Sequence, residues 1–389
     1  MPPKLAASSF TRPRVAIAHD YLTQLGGAEK TVLAMSRAFP DAPIYTMLYD
    51  ANGTFPEFKD LDVRVAGVNR FKPLRKHHRA ALPIFPIVAG SVFVDADIVL
   101  CSSSGWAHGF RTSGRKIVYC HSPARWLYQG NTYLGDHGNV IAKLGLRATA
   151  SYLTNWDRRA ALSSERYLAN SSVIRERIFG AYGIDAEVVF PPVSMVQADA
   201  VQPIPAVVDW MGKGGLRPDT SDGAFYLVVS RLLPYKNVDK VVRAFADTGR
   251  RLVVVGRGPQ ADRLQAMKTP NVTMVSDISD RELAWLYKNC RAIIAASYED
   301  YGLTPLEAGT WGRPAIALRY GGFLDTIREG ISGLYFDEPT SSDIAEAVDR
   351  FEMTKFDSDK VRDHVKQFSQ EAFAEKLHDA VNGVVALGR

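Results

Sequence analysis

Four side chains in the second half of the chain have the types and spacing to act on a polyanionic, hydroxyl-rich ligand: Arg231, Lys236, Glu299 and Glu307. Two cations on the short loop 230–237, which runs into a helix amino terminus, can neutralise a diphosphate without a metal ion. Taken alone, two cations more often mark a solvated loop. Carboxylates accept hydrogen bonds from hydroxyls, so Glu299 and Glu307 suit sugar rings flanking such a diphosphate. Pro305 stands between them and argues against one continuous helix, leaving a loop group and a helix-start group. Thr304-Pro305-Leu306-Glu307 also reads as a capping box, with Thr304 at the N-cap, Pro305 at N1 and Glu307 at N3. That reading gives Glu307 a purely local role.

Other motifs are weaker. Gly26 and Gly27 precede a stretch over 30–39 with helical apolar spacing, so their N–H groups could meet a phosphate with no side chain in the way. A tight turn is the alternative. Gly256 and Gly258 allow close backbone approach to a ligand, but the third glycine and downstream acid of a dinucleotide fingerprint are missing, which counts against an oxidoreductase. His121 follows a strand-like run over 116–120 and precedes Arg125; it reads equally as a substrate contact or a structural histidine. Asp95 and Asp97 spell a metal-binding Asp-x-Asp, yet they open a strand, so one acid simply faces solvent and no metal is expected. No Ser/His/Asp or Cys/His nucleophile set is apparent.

The elements that must position these groups alternate between strand and helix. Apolar runs over 14–19, 42–48, 98–100, 116–120 and 187–190 read as strands, with a helical stretch over 156–168, which argues a parallel sheet with helices on both faces. Prolines and glycines crowd 194–223, read as an interdomain linker with a surface insertion. A second series follows, with strands over 224–230, 251–255, 272–275 and 292–296 and helices over 238–246 and 281–287. The expectation is an α/β chain of two Rossmann-like domains, 1–193 and 224–369. An amphipathic tail, helical over 358–387, would pack back so that about 370–389 completes the first domain.

At 389 residues, 46% hydrophobic and 23% charged, the chain is long enough for two cores. No basic leader with an apolar core and no run near the ~20 residues of a membrane span is present, and three scattered cysteines suit a reducing compartment, so a cytoplasmic location is expected. Charge is uneven: 23 Lys+Arg against 15 Asp+Glu over 1–193, and 24 against 27 beyond. The densest basic cluster, Arg70, Lys72, Arg75, Lys76 and Arg79, precedes an apolar run over 80–88. It suits either an anionic membrane surface or a solvated loop before a core helix. Nucleic acid is disfavoured, since no nucleic-acid motif accompanies the charge.

Together these residues resemble the family 4 retaining glycosyltransferases over nearly the whole chain. Glu299-x7-Glu307 followed by Gly312-Arg313-Pro314 and Gly321-Gly322, with Ser230-Arg231 through Lys236, resembles that family's donor-site signature. Asp20-Tyr21-Leu22-Thr23 with Gly26-Gly27-Ala28-Glu29, and Tyr119-Cys120-His121-Ser122-Pro123-Ala124-Arg125, resemble bacterial mannosyltransferases of O-antigen and exopolysaccharide assembly. The resemblance implies a GT-B fold with two domains facing a cleft, the donor held by the second and the acceptor mainly by the first. It implies catalytic roles for His121, Arg231, Lys236 and Glu299. Donor-binding roles follow for Gly26, Gly27, Arg231, Lys236, Gly256, Gly258, Glu299, Gly302, Leu303 and Glu307. Arg70, Lys72, Arg75, Lys76, Arg79 and Arg125 fall on the acceptor or membrane side. The expected activity is metal-independent, cofactor-free transfer of mannose from GDP-mannose to a lipid-linked saccharide at the inner face of the membrane. A UDP-sugar donor and a non-catalytic sugar-nucleotide-binding protein are the alternatives. Ser276 replaces a glycine of many relatives, and Ala296-Ser297 replaces a Pro-Ser pair, which bears on base recognition.

Overall fold

Short, nearly continuous apolar runs form parallel strands covered on both faces, as helices packed over a sheet require. The computed structural model describes residues 13–77, 84–129, 140–193, 201–212, 225–246 and 248–386. Two compact units divide the chain: residues 1–170, 174–191 and 373–389 in the first, 171–173 and 192–372 in the second.

The first unit holds β1 (Val15–Leu22), β2 (Ile44–Tyr49), β3 (Val63–Val65), β4 (Phe93–Val94), β5 (Ile98–Ser103), β6 (Arg111–Thr112), β7 (Arg115–Cys120), β8 (Arg166–Ala169) and β9 (Glu187–Val188). Its main sheet has the order β3-β2-β1-β5-β7-β8-β9, with every pairing parallel. Alternation along β1 sends Ile17 to one core, with Leu100 and Ile117, and Ala18 to the other, with Val99 and Val118. Phe373, Leu377 and Val381 of the terminal helix Gln370–Ala386 close the Ile17 core, and Arg115 Nη1 donates to the Val384 carbonyl at 2.6 Å. The 156–168 stretch needs correction. Helix Val140–Leu162 stops short, and Arg166–Ala169 is strand β8, because Tyr167, Leu168 and Ala169 are buried beside β7.

The second unit holds β10 (Phe225–Val229), β11 (Leu252–Val255), β12 (Val272–Val275), β13 (Cys290–Ala295), β14 (Ala315–Leu318) and β15 (Gly333–Phe336), in the order β12-β11-β10-β13-β14-β15. Helix Val238–Phe245 buries Val238, Val241, Val242 and Phe245 on one stripe, the helical periodicity its sequence spells. Ser279 and Glu282 form the capping box that starts helix Asp280–Asn289. The linker reading of 194–223 is corrected over 201–212: Pro205–Gly212 is a helix whose Val207 and Met211, with Ile204, join the second core. Trp210 fixes it by donating from Nε1 to the Pro270 carbonyl at 2.8 Å. Residues 194–200 and 213–223 of that stretch lie outside the described residues. Among the described residues no helix is long and apolar enough to cross a membrane.

Candidate active site

In the second sheet, strand order reverses between β10 and β13, and open α/β sheets bind ligands outside the carboxyl ends of strands at such a point. The loops leaving these two strands are joined. Asn237 Nδ2 donates to the Ala296 carbonyl at 2.9 Å, and Lys236 Nζ donates to Glu299 Oε1. Ser297 Oγ donates to the same carboxylate oxygen at 2.8 Å. Asn237 itself takes a left-handed backbone, φ 54°, which asparagine tolerates better than most residues. The Lys236 and Glu299 side chains are only 11% and 25% exposed, so the ion pair is mostly withdrawn from water. A cavity of about 260 Å³ opens here, lined by Ser230, Arg231, Lys236, Ser297, Glu299 and Thr304 among others. Arg231 is exposed, and its Nη2 donates to the Tyr235 hydroxyl at 3.3 Å. An ammonium and a guanidinium beside a carboxylate can divide a ligand between them, anion to the cations and hydroxyls to Glu299.

Glycines let neighbouring loops close on this centre. A Cβ on Gly321, φ +60°, would lie 2.1 Å from the Glu299 carbonyl oxygen, and one on Gly322 would lie 2.3 Å from Tyr301 Cα. Gly322 N–H donates to the Glu299 carbonyl at 2.9 Å, so the loop after β14 holds the backbone that carries Glu299. The same geometry gives Gly256 and Gly258 a local packing role. Cβ atoms there would lie 1.8 Å from the Ser230 carbonyl oxygen and 2.4 Å from that of Leu232, so these glycines admit the loop after β10. Gly302 and Leu303 line the cavity, with Gly302 at the N-cap of helix Leu303–Thr310 and pressed against Phe323.

Glu307 is placed differently from the capping-box expectation. The helix begins at Leu303, two residues before Pro305, because the first-turn N–H groups have no intrahelical partner and proline is tolerated there. Glu307 therefore lies in the second turn, not at N3. Its Oε2 accepts from the Tyr287 hydroxyl at 2.6 Å, and it is not among the residues lining the cavity. Burial and the adjacent carboxylate push the Tyr287 phenol well above its ordinary pKa, which keeps it a donor. Sequence reasoning met Ser297 only as a departure from a Pro-Ser pair and Asn237 only as the end of the cation loop, and it assigned Tyr287 no role in the site.

In the first unit, Gly26 and Gly27 do stand at a helix start, the amino terminus of Gly27–Ala38. The expectation of a turn free of side chains fails at Gly26. Glu29 folds back over it, and a Cβ on Gly26 would lie 2.3 Å from Glu29 Oε2. Glu29 is 1% exposed, and burial raises its carboxyl pKa. His121 sits just past β7 with Nε2 2.8 Å from Ser102 Oγ. Burial, then His19 and Arg125, hold its pKa down to about 3, so the ring is neutral. Arg125 opens the short helix Arg125–Tyr128. Asp95 and Asp97 pair with Arg14 at 3.2 and 3.4 Å. Of the basic cluster, Arg70 ends a 3-10 turn, Lys72, Arg75 and Lys76 lie on helix Lys72–His77, and Arg79 lies outside the described residues.

Residues 218–373 match the family described as Glycosyl transferases group 1. The mouse alpha-1,3/1,6-mannosyltransferase ALG2 is 25% identical, over 98% of this chain and 98% of its own. A D-inositol 3-phosphate glycosyltransferase of Actinosynnema mirum is 29% identical over half of each chain. Among solved structures, Anabaena HepE in complex with UDP-glucose superposes with a TM-score of 0.64 at 15% identity, covering 95% of this chain and 100% of that one. The sucrose-phosphate synthase of Thermosynechococcus elongatus superposes at 0.66 and 17% identity, covering 96% and 100%. Residues 218–373 are a Glycosyl transferases group 1 domain, carried by a hexosyl-transferring enzyme of GT-B fold.

Proposed function

We propose that the enzyme transfers mannose from GDP-mannose to a lipid-linked saccharide, with retained configuration and without a metal ion. The observation that carries the reading is the Lys236–Glu299 pair at the strand reversal of the second sheet, supported by a relative named as a mannosyltransferase that aligns over nearly the full chain. Negative charge grows on the diphosphate as the glycosidic bond breaks. Arg231 and Lys236 stabilise that charge, the work a divalent cation does elsewhere. Glu299 leaves Lys236 to accept hydroxyls of the transferred hexose, while Glu307, aimed by Tyr287, takes the ribose. In the first unit we assign Gly26 and Gly27 to phosphate and His121 to sugar. The leaving phosphate oxygen accepts the acceptor's proton as the acceptor oxygen bonds to the anomeric carbon on the same face. The acceptor falls mainly to the first unit, including Arg125.

A UDP-sugar donor remains the second reading, since Ser276 and Ala296-Ser297 depart from the expected pattern beside the nucleotide loops. Thermal shift with GDP, UDP and ADP separates the two: the cognate diphosphate raises Tm and the others leave it unchanged. Peripheral binding to the inner face of an anionic membrane is supported by exposed Phe71 and Ile87 near the basic cluster in sequence. Charge reversal at Arg75, Lys76 and Arg79 should reduce co-sedimentation with anionic liposomes, and high salt should weaken binding of the unaltered protein. Equal sedimentation with neutral liposomes would contradict this.

A further inference from the structure

The first sheet has its own strand reversal, between β1 and β5, and three polar side chains meet there. His19 on β1 lies opposite Ser102 on β5, Ser102 lies opposite Tyr119 on β7, and His121 follows that strand by one residue. His19 and Ser102 are 2% and 0% exposed. Strand pairing fixes their order: His19, Ser102, His121.

The hydrogen bonds determine where the protons sit. Nδ1 of His19 lies 3.0 Å from the Ser102 carbonyl oxygen and 3.0 Å from Ser102 Oγ. A carbonyl oxygen only accepts, so His19 Nδ1 carries the proton. Ser102 Oγ thus accepts from His19 on one side, and since it has no further hydrogen-bond partner among the described residues, its own proton goes to His121 Nε2 at 2.8 Å. We infer that Ser102, itself oriented by His19, holds His121 as the neutral tautomer protonated at Nδ1, with Nε2 committed to accepting from Ser102.

Among the described residues the His121 ring makes no second hydrogen bond, so Nδ1–H is the polar group it has left to offer. That group donates to a sugar hydroxyl oxygen or a phosphate oxygen and cannot serve as a base. Ser102 is thus a positioning residue, and its partner's role rests on the reading of His121 as a transfer-site residue. Removing the Ser102 hydroxyl frees both ring nitrogens to exchange the proton, and an N–H acting as donor is then present only part of the time.

Long-range proton–nitrogen NMR of the full-length protein with nitrogen-15 histidine tests this at pH 7, with His121 assigned by loss of its signals in His121→Gln. The expected spectrum places Nδ1 in the protonated range and Nε2 in the unprotonated range. In Ser102→Ala both should move toward the averaged position, with kcat for nucleotide-sugar turnover about 10-fold lower; Ser102→Thr should restore both. A proton on Nε2, two protonated nitrogens, or unchanged His121 signals in Ser102→Ala would overturn the assignment. The unaltered protein decides the tautomer even if Ser102→Ala does not fold. If the tautomer is as inferred but His121→Gln turns over normally, the tautomer stands and the transfer role of His121 falls.

Discussion

The Tyr287 hydroxyl donates to Oε2 of Glu307 across 2.6 Å, tying the helix that precedes β13 to the helix that follows it. A bond to an ionised carboxylate contributes about 1.5–3 kcal/mol, so Tyr287→Phe should lower unfolding stability by roughly that much. If the bond also aims Glu307 at the donor's ribose, the nucleotide-sugar KM should rise several-fold with kcat preserved. Steady-state kinetics with unchanged KM would leave the bond a purely structural one.

Gly322→Ala should injure catalysis through Glu299. The added Cβ would lie 2.3 Å from Tyr301 Cα, and backbone cannot step aside as a flexible side chain can. Overpacking of this kind costs about 1–3 kcal/mol. Gly180→Ala, at an exposed position of helix Ser172–Tyr182, is the control, because a Cβ there meets nothing within 4 Å. Denaturant unfolding and turnover should both fall for the first variant and stay near wild type for the second.

Acid should destabilise the protein partly through His121. Its native pKa is held down to about 3 from 6.5. Between those values the unfolded chain binds a proton that the native ring refuses, so stability falls as pH drops through that window and is unaffected above it. The slope is at most about 1.4 kcal/mol per pH unit. Glu29, whose pKa is raised, acts in the opposite direction in its own window, equally in wild type and variant. Urea unfolding at pH 7.5 and pH 5 should show wild type losing up to about 2 kcal/mol more than His121→Asn. Parallel losses would mean that His121 is not held neutral.

The strands were legible because both their faces are covered, so runs such as Leu252–Val255 are apolar throughout. Periodicity failed where burial overrode it: Arg166–Ala169 continues the apolar pattern of a helix but pairs with β7. Composition failed at Pro205–Gly212, whose prolines and glycine flank a buried face. Lys236 and Glu299 could be singled out from side-chain chemistry. Their meeting could not, because it depends on β10 and β13 being neighbours although 60 residues of chain separate the two strands. The glycines were noticed, but the backbone each one admits, that of Ser230 at Gly256 and of Leu232 at Gly258, requires coordinates.

Release of nucleoside diphosphate from GDP-mannose in the presence of EDTA tests metal-free transfer at the Lys236–Glu299 centre most directly. Wild type should turn over undiminished by EDTA, while Lys236→Ala and Glu299→Ala should each lose about 100- to 1,000-fold in kcat. Activity that requires a divalent cation, or both variants turning over at the wild-type rate, would contradict it.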